Sequence, residues 1–144
     1  MKAKIAWKRD VCFSAESGSG HNLTMDGPPN SGGKNQGPRP MEMILMGMGG
    51  CAAYDVVHIL GRGRVPVSDC VAQLEAERSP DVPSVFTKIR LHFVVSGPAL
   101  PDNKVSRAVK LSAEKYCSAS IMLQRGGVEV EHSYEVVDTT ARDA

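Results

Sequence analysis

The middle of this chain constrains its fold most: from Met41 to Leu60 the sequence is apolar on almost every side, and it is closed by Gly61 with Arg62 and Arg64 beyond. A glycine just past an apolar run and basic side chains at its end are the marks of a helix C-terminus. The segment is long enough for about five helical turns. A helix apolar all round has to be buried, in a protein core or in a bilayer. The uncharged stretch between Glu42 and Asp55 is only twelve residues, below the roughly 18 that a bilayer requires. The expectation is therefore a buried central helix and no membrane partner. Gly47, Gly49 and Gly50 each cost about 1 kcal/mol against alanine in a helix interior, so close backbone approach by another helix is expected to offset them.

The rest of the chain is organised around that helix. Ala3, Ile5 and Trp7, then Val11, Phe13 and Ala15, alternate with polar residues as half-buried strands do. Gly18-Ser-Gly20 supplies a turn, and His21 to Met25 completes a small antiparallel meander. Gly, Pro, Asn and Ser dominate from Asp26 to Pro38, which reads as a mobile surface loop. Val67 to Arg78 and Val85 to Val95 alternate as two amphipathic strands, joined across Pro80-Asp-Val-Pro83. Asp102 is placed to cap a helix that continues or kinks from Tyr116 into Ser118 to Gln124. Val128 to Val137 is a closing strand, and the polar tail 138–144 is expected to fray. This order lacks the strand–helix alternation of a doubly wound sheet and indicates an α+β fold, one domain over 1–137.

At 144 residues such a domain buries roughly 70% of its unfolded surface without metals or structural disulfides. Seventeen basic and sixteen acidic side chains leave a formal charge of +1, so no field draws nucleic acid. Four cysteines, Cys12, Cys51, Cys70 and Cys117, lie far apart with no C-x-x-C pair, and no metal is expected. The N-terminus alternates at once and lacks the apolar core of a signal peptide, which points to the cytoplasm. There a cysteine pair would form a transient catalytic or redox-sensing bond.

Cys51 ends the glycine- and methionine-rich run. At about 100° per residue it shares one helical stripe with Tyr54, Asp55 and His58. A small thiol on an apolar helix is ordinary packing, but a carboxylate and an imidazole beside it are costly to bury unless paired or facing a cavity. Asp55 would raise the thiol's pKa and protonated His58 would lower it, an ambiguity that sequence leaves open. Moving a thiol from about 8.5 to about 6.5 lifts its thiolate fraction at pH 7 from roughly 3% to roughly 75%, about 2.7 kcal/mol. Cys117 stands where one helix gives way to Ser118-Ala-Ser120, a step that could aim free N–H groups at the sulfur and favour thiolate. Cys12 and Cys70 fall in strands and read as packing. Glu42, nine residues before Cys51, lies half a turn away on a straight helix. It is either a charge at the helix start or a site residue reaching in from the helix entrance or across a dimer. Gly47-Met-Gly-Gly50 lacks the Lys-Ser/Thr and the preceding strand of a nucleotide loop.

The run Pro40-Met-Glu-Met-Ile-Leu-Met-Gly-Met-Gly-Gly-Cys-Ala-Ala-Tyr-Asp-Val-Val57, followed by Leu111-Ser-Ala-Glu-Lys-Tyr-Cys-Ser118, resembles the OsmC/Ohr family of osmotically inducible and organic hydroperoxide resistance proteins. The likeness extends from Met1 to Val137 and is greatest to the YhfA-like branch. It implies a bacterial α+β domain forming an intertwined homodimer whose central helices are buried between curved sheets. It also implies thiol-dependent reduction of organic hydroperoxides in oxidative-stress defence. In that reading Cys51 is the peroxidatic nucleophile, Cys117 the resolving partner and Glu42 the family glutamate. Arg39 is the nearest candidate for the family's paired arginine, although Gln36-Gly-Pro-Arg-Pro40 departs from the pattern of the better-characterised members. Tyr54, Asp55 and His58 are the remaining candidate substrate contacts. No bound cofactor is required, and an external dithiol would reduce the disulfide. Two other readings stay open: a dimer that holds a small apolar ligand without turnover, and a stoichiometric thiol redox sensor.

Overall fold

Alternating side chains build two three-stranded sheets, and the computed structural model describes residues 1–140. The chain divides into two compact units, 1–46 and 47 onward. In the first, β1 (Ala3–Arg9), β2 (Cys12–Ser17) and β3 (Asn22–Met25) pair in order as the expected antiparallel meander. Register aligns Ile5 with Ala15 and Leu23, and Trp7 with Phe13 and Met25, so apolar side chains form cross-strand rows. The half-burial expected of β1 is not found: Ile5 is 54% exposed and Trp7 68%.

The loop that follows is pinned rather than loose. Asp26 is buried, and its carboxylate accepts the backbone N–H groups of Gly27, Lys34 and Gln36 at 2.8, 3.0 and 3.1 Å. Burial alone would raise its pKa, but those three donors and Arg9 outweigh it and hold the carboxyl below its ordinary value. A Cβ at Gly37 would lie 2.1 Å from the Thr24 carbonyl oxygen, so the loop backbone runs hard against β3.

The long helix is α1 (Pro40–Arg62), 23 residues. By length and composition it is apolar enough to cross a bilayer, with a mean hydropathy of 1.5 over its most apolar window. In the second unit it instead lays the stripe Met48, Gly49, Ala52, Val56 and Leu60 into the core. Of the three glycines, Gly49 alone explains itself: a Cβ there would lie 2.6 Å from Leu74 Cδ1, and nothing lies within 4 Å of one built at Gly47 or Gly50. At Gly49 the close neighbour within the chain is thus a strand side chain.

The second sheet runs β4 (Asp69–Arg78), β5 (Phe86–Gly97), β6 (Glu129–Asp138), with β4–β5 antiparallel and β5–β6 parallel. A parallel neighbour needs a crossover, supplied by α2 (Asp102–Leu111), a π-helical turn over Ser112–Tyr116 and α3 (Ser118–Arg125). Ile89, Leu91, Phe93 and Val95 of β5, with Val105, Ala108 and Val109 of α2, complete the buried core. On the opposite face Lys88 bridges Glu129 and Glu131, and Arg90 bridges Glu77. Asp102 does not cap α2; the N-cap is Pro101, and no side chain caps the helix. The Asp102 carboxylate instead accepts the Tyr134 hydroxyl, 3.2 Å from both oxygens. The tail is held further than expected: the Asp138 carboxylate accepts the N–H groups of Ala99 and Thr140. The remainder, 141–144, lies outside the described residues.

Candidate active site

Where α2 loses its regular pitch, the chain brings Cys117 to Cys51. The π-helical turn ends at Cys117, whose extended backbone (φ −70°, ψ 98°) makes it the N-cap of α3. Its sulfur accepts the Ser120 N–H at 3.4 Å and its thiol lies 3.9 Å from the Met48 carbonyl of α1. Ser112, at the start of the same turn, donates its hydroxyl to the Ala52 carbonyl at 3.0 Å. These contacts bind the turn to α1 three residues before Cys51 and one residue after it. A π turn is a rare element that recurs at functional sites, and this one sets both Ser112 and Cys117 against α1.

The outcome is a tight cluster. The sulfurs of Cys51 and Cys117 and a carboxylate oxygen of Asp55 all lie within 4.8 Å of one another. Cys117 is fully buried, and Cys51 and Asp55 are half-buried. All four cysteines are free thiols. Two sulfurs and a carboxylate are also groups that a soft divalent ion can take, so thiol chemistry here is best measured with a chelator present.

The electrostatics correct one expectation. The Ser120 N–H reaches the Cys117 sulfur as the Ser118-Ala-Ser120 step suggested, and it favours thiolate. Burial is the larger effect, joined by Cys51 and Asp55, and it pushes the Cys117 thiol up to about 11. Cys117 therefore rests protonated at neutral pH. Burial likewise raises the Asp55 carboxyl, against the opposing pull of Ser112 and His58. Its Oδ2 is buried without a hydrogen-bond partner among the described residues. Beside it opens a cavity of about 470 Å³ lined by Asp55, His58, Ile59, Arg62, Leu111 and Tyr116.

The helical stripe read from sequence divides in two. Cys51 and Asp55 face Cys117, whereas Tyr54, 69% exposed, stacks on the exposed His58 with ring centroids 5.8 Å apart. Within the first unit, Arg39 Nε lies 3.8 Å from Glu42 Oε1, an ion pair whose arginine also donates to Asn35 and Gly37. Cys12 is buried in β2, and burial and Asp69 raise the half-buried Cys70 thiol of β4. Both fit the packing role read for them. His92 bonds the Ser133 hydroxyl across the sheet. Sequence reasoning missed Ser112, Arg62 and Tyr116. Ser112 and Tyr116 lie inside the Leu111 to Ser118 motif, which was the available signal. A wider hollow of about 1000 Å³ beside Met1, Lys2 and Ser17 to Ser19 is lined by no cysteine.

The family model of OsmC-like proteins matches residues 33–133, and the chain belongs to that family. It is 53% identical over 137 residues to Protein YhfA of Escherichia coli strain K12, spanning 95% of this chain and 98% of YhfA. A solved structure of a hypothetical protein from Aquifex aeolicus VF5 is 28% identical, with a TM-score of 0.81 and 94% of each chain covered. The fold is also that of an organic hydroperoxide resistance protein OsmC from Legionella pneumophila, at 23% identity, a TM-score of 0.71 and coverage of 94% of this chain and 96% of that one.

Proposed function

We propose that this protein is a thiol-dependent peroxidase that reduces organic hydroperoxides in oxidative-stress defence. Family membership and a fold shared with a protein named for organic hydroperoxide resistance favour a redox-stress role. The observation that carries the specific reading is the convergence of two free thiols, one half-buried and one fully buried, within 4.8 Å. Cys51, the reachable sulfur, attacks the O–O bond as thiolate. Alcohol leaves, and the resulting sulfenic acid condenses with Cys117 to a disulfide and water. An external dithiol restores both thiols, and no bound cofactor takes part.

Glu42 and Arg39 enter the proposal as the family's acid and its paired cation, on the strength of their 3.8 Å ion pair. His58 lines the cavity beside Asp55 and is the better placed of the two stacked rings to meet substrate. The protein acts in the cytoplasm as a homodimer. Free cysteines suit a reducing compartment, and exposed Ile5, Trp7 and Leu23 on one sheet, with Tyr54 and Val57 on α1, are apolar surface that a second copy would cover.

The test is hydroperoxide consumption with excess dithiol. The wild-type protein turns over many equivalents, Cys51→Ser none, and Cys117→Ser stalls after one. Mass spectrometry after one equivalent of alkyl hydroperoxide shows a Cys51–Cys117 disulfide; free sulfenic acid with Cys117 untouched defeats the resolving role. One observation favours a second reading. A Cys117 thiol held at about 11 resists attack, as a stoichiometric sensor would require, and oxidation without sustained turnover under dithiol identifies that case.

A further inference from the structure

We propose that Asp55 is the proton carrier of the cysteine couple: its carboxylate takes the proton from the Cys117 thiol as that sulfur attacks Cys51, and hands it to the oxygen leaving Cys51. This rests on the peroxidase reading and supplies the step that reading lacks.

Among the described residues around Cys117, Asp55 is the carboxylate placed to take its proton. The two hydrogen-bond partners of Cys117 are a carbonyl oxygen, Met48, and an N–H donor, Ser120, and neither is a base. The titratable groups acting on it are Cys51 and Asp55. Those around Asp55 are Cys51, His58 and Arg62 on its own helix, and Tyr116 and Cys117 on the segment packed against it. His58 is exposed, stacked on Tyr54, and lines the cavity beside Asp55. Asp55 combines a carboxylate oxygen within 4.8 Å of both sulfurs with a buried Oδ2 that has no hydrogen-bond partner among the described residues. A buried acceptor without a partner costs about 1–3 kcal/mol, so leaving Oδ2 unpaired works against the fold. The cavity beside Asp55 lets water leave and protons re-equilibrate. At 4.8 Å or less, one bridging water or a small rotation completes the transfer, as resting-state geometry commonly requires.

The step balances. The S–H bond of Cys117 and the S–O bond of the Cys51 sulfenic acid break, and the S–S bond and one O–H bond of water form. The Cys51 sulfur is reduced from sulfenic acid to disulfide while the Cys117 sulfur is oxidised from thiol to disulfide. Asp55 gains one proton and returns it.

The experiment compares wild type with Asp55→Asn, Asp55→Glu and Asp55→Ala, all with chelator present. Sulfenic acid formation on Cys51 is trapped with dimedone in the Cys117→Ser background, and disulfide closure is followed by rapid quench and mass spectrometry. Asp55→Asn is expected to slow closure by about 100-fold beyond any effect it has on the first step, the lower range for a positioned acid–base group. Its closure rate should then rise in proportion to hydroxide. Asp55→Glu should retain closure, and formate, small enough for the cavity, should restore it to Asp55→Ala; a merely structural role predicts neither. A second arm loads Cys51 as a mixed disulfide with thionitrobenzoate, so that attack by Cys117 releases the chromophore without any peroxide. If peroxide fails to oxidise Cys51, the peroxidase reading falls while this arm still decides the role of Asp55. Closure by Asp55→Asn at the wild-type rate and pH profile, in this arm, overturns the proposal.

Discussion

At the scale of single residues, Cys117 is pulled in two directions, and the larger one wins. A helix N-terminus offers its sulfur one N–H, and full burial removes the water that would stabilise a thiolate. The consequence reaches stability. A group whose folded pKa is raised keeps its full contribution below the unfolded value and loses it as pH climbs through the folded one. Here that window runs from the ordinary 9.0 to about 11. Urea denaturation should show stability falling across that range, and Cys117→Ala should flatten the fall while lowering stability at pH 7. Gly49 offers a second test. A methyl there meets the flexible end of Leu74, so Gly49→Ala gains about 1 kcal/mol of helix propensity but forces Leu74 aside at a cost of about 1–3 kcal/mol. The net expectation is a small loss in the denaturation midpoint.

At the scale of elements, two short segments are held by single polar side chains. The 26–38 loop is organised by the Asp26 carboxylate, which three backbone N–H groups hold ionised. Its folded pKa is depressed, so its contribution is present above the unfolded value and disappears as pH falls through the folded one. Asp26→Ala should lower the melting temperature by several degrees at pH 7, and the gap from wild type should close as pH falls below the ordinary carboxylate value of 3.8. The π-helical turn is tied to α1 by the buried Ser112 hydroxyl. Ser112→Ala should cost about 1 kcal/mol and, by loosening the turn that carries Cys117, slow disulfide closure more than it slows the first oxidation of Cys51. Both segments were read only in part from sequence. The loop's Gly-Pro-Asn-Ser composition signals irregular backbone and is silent on the one buried carboxylate that orders it. The break before Ser118 was visible, but π winding has no composition of its own.

At the scale of the whole molecule, the notable feature is apolar surface left bare. Ile5, Trp7 and Leu23 line one sheet of the first unit, and Tyr54 and Val57 crown α1 in the second. A monomer with such faces would be prone to associate, and the proposed homodimer answers that. Sedimentation should give twice the chain mass. Separate Trp7→Glu and Val57→Glu variants should each shift the protein toward monomer; a wild-type monomer at micromolar concentration would remove dimerisation from the proposal.

What the sequence determined by itself is what periodicity and punctuation encode: the meander, the 23-residue helix within a few residues of each end, the paired strands and the α+β class. Two local motifs also marked Cys51 and Cys117 as the residues to watch. Tertiary structure decided the rest, because each outcome turns on what lies across space. It decided that Cys51 and Asp55 face Cys117 while Tyr54 and His58 face outward, and that Leu74 fills the groove at Gly49. It also decided that Cys117 is a thiol, since burial, which no local motif reports, outweighs the helix N-terminus that the motif does.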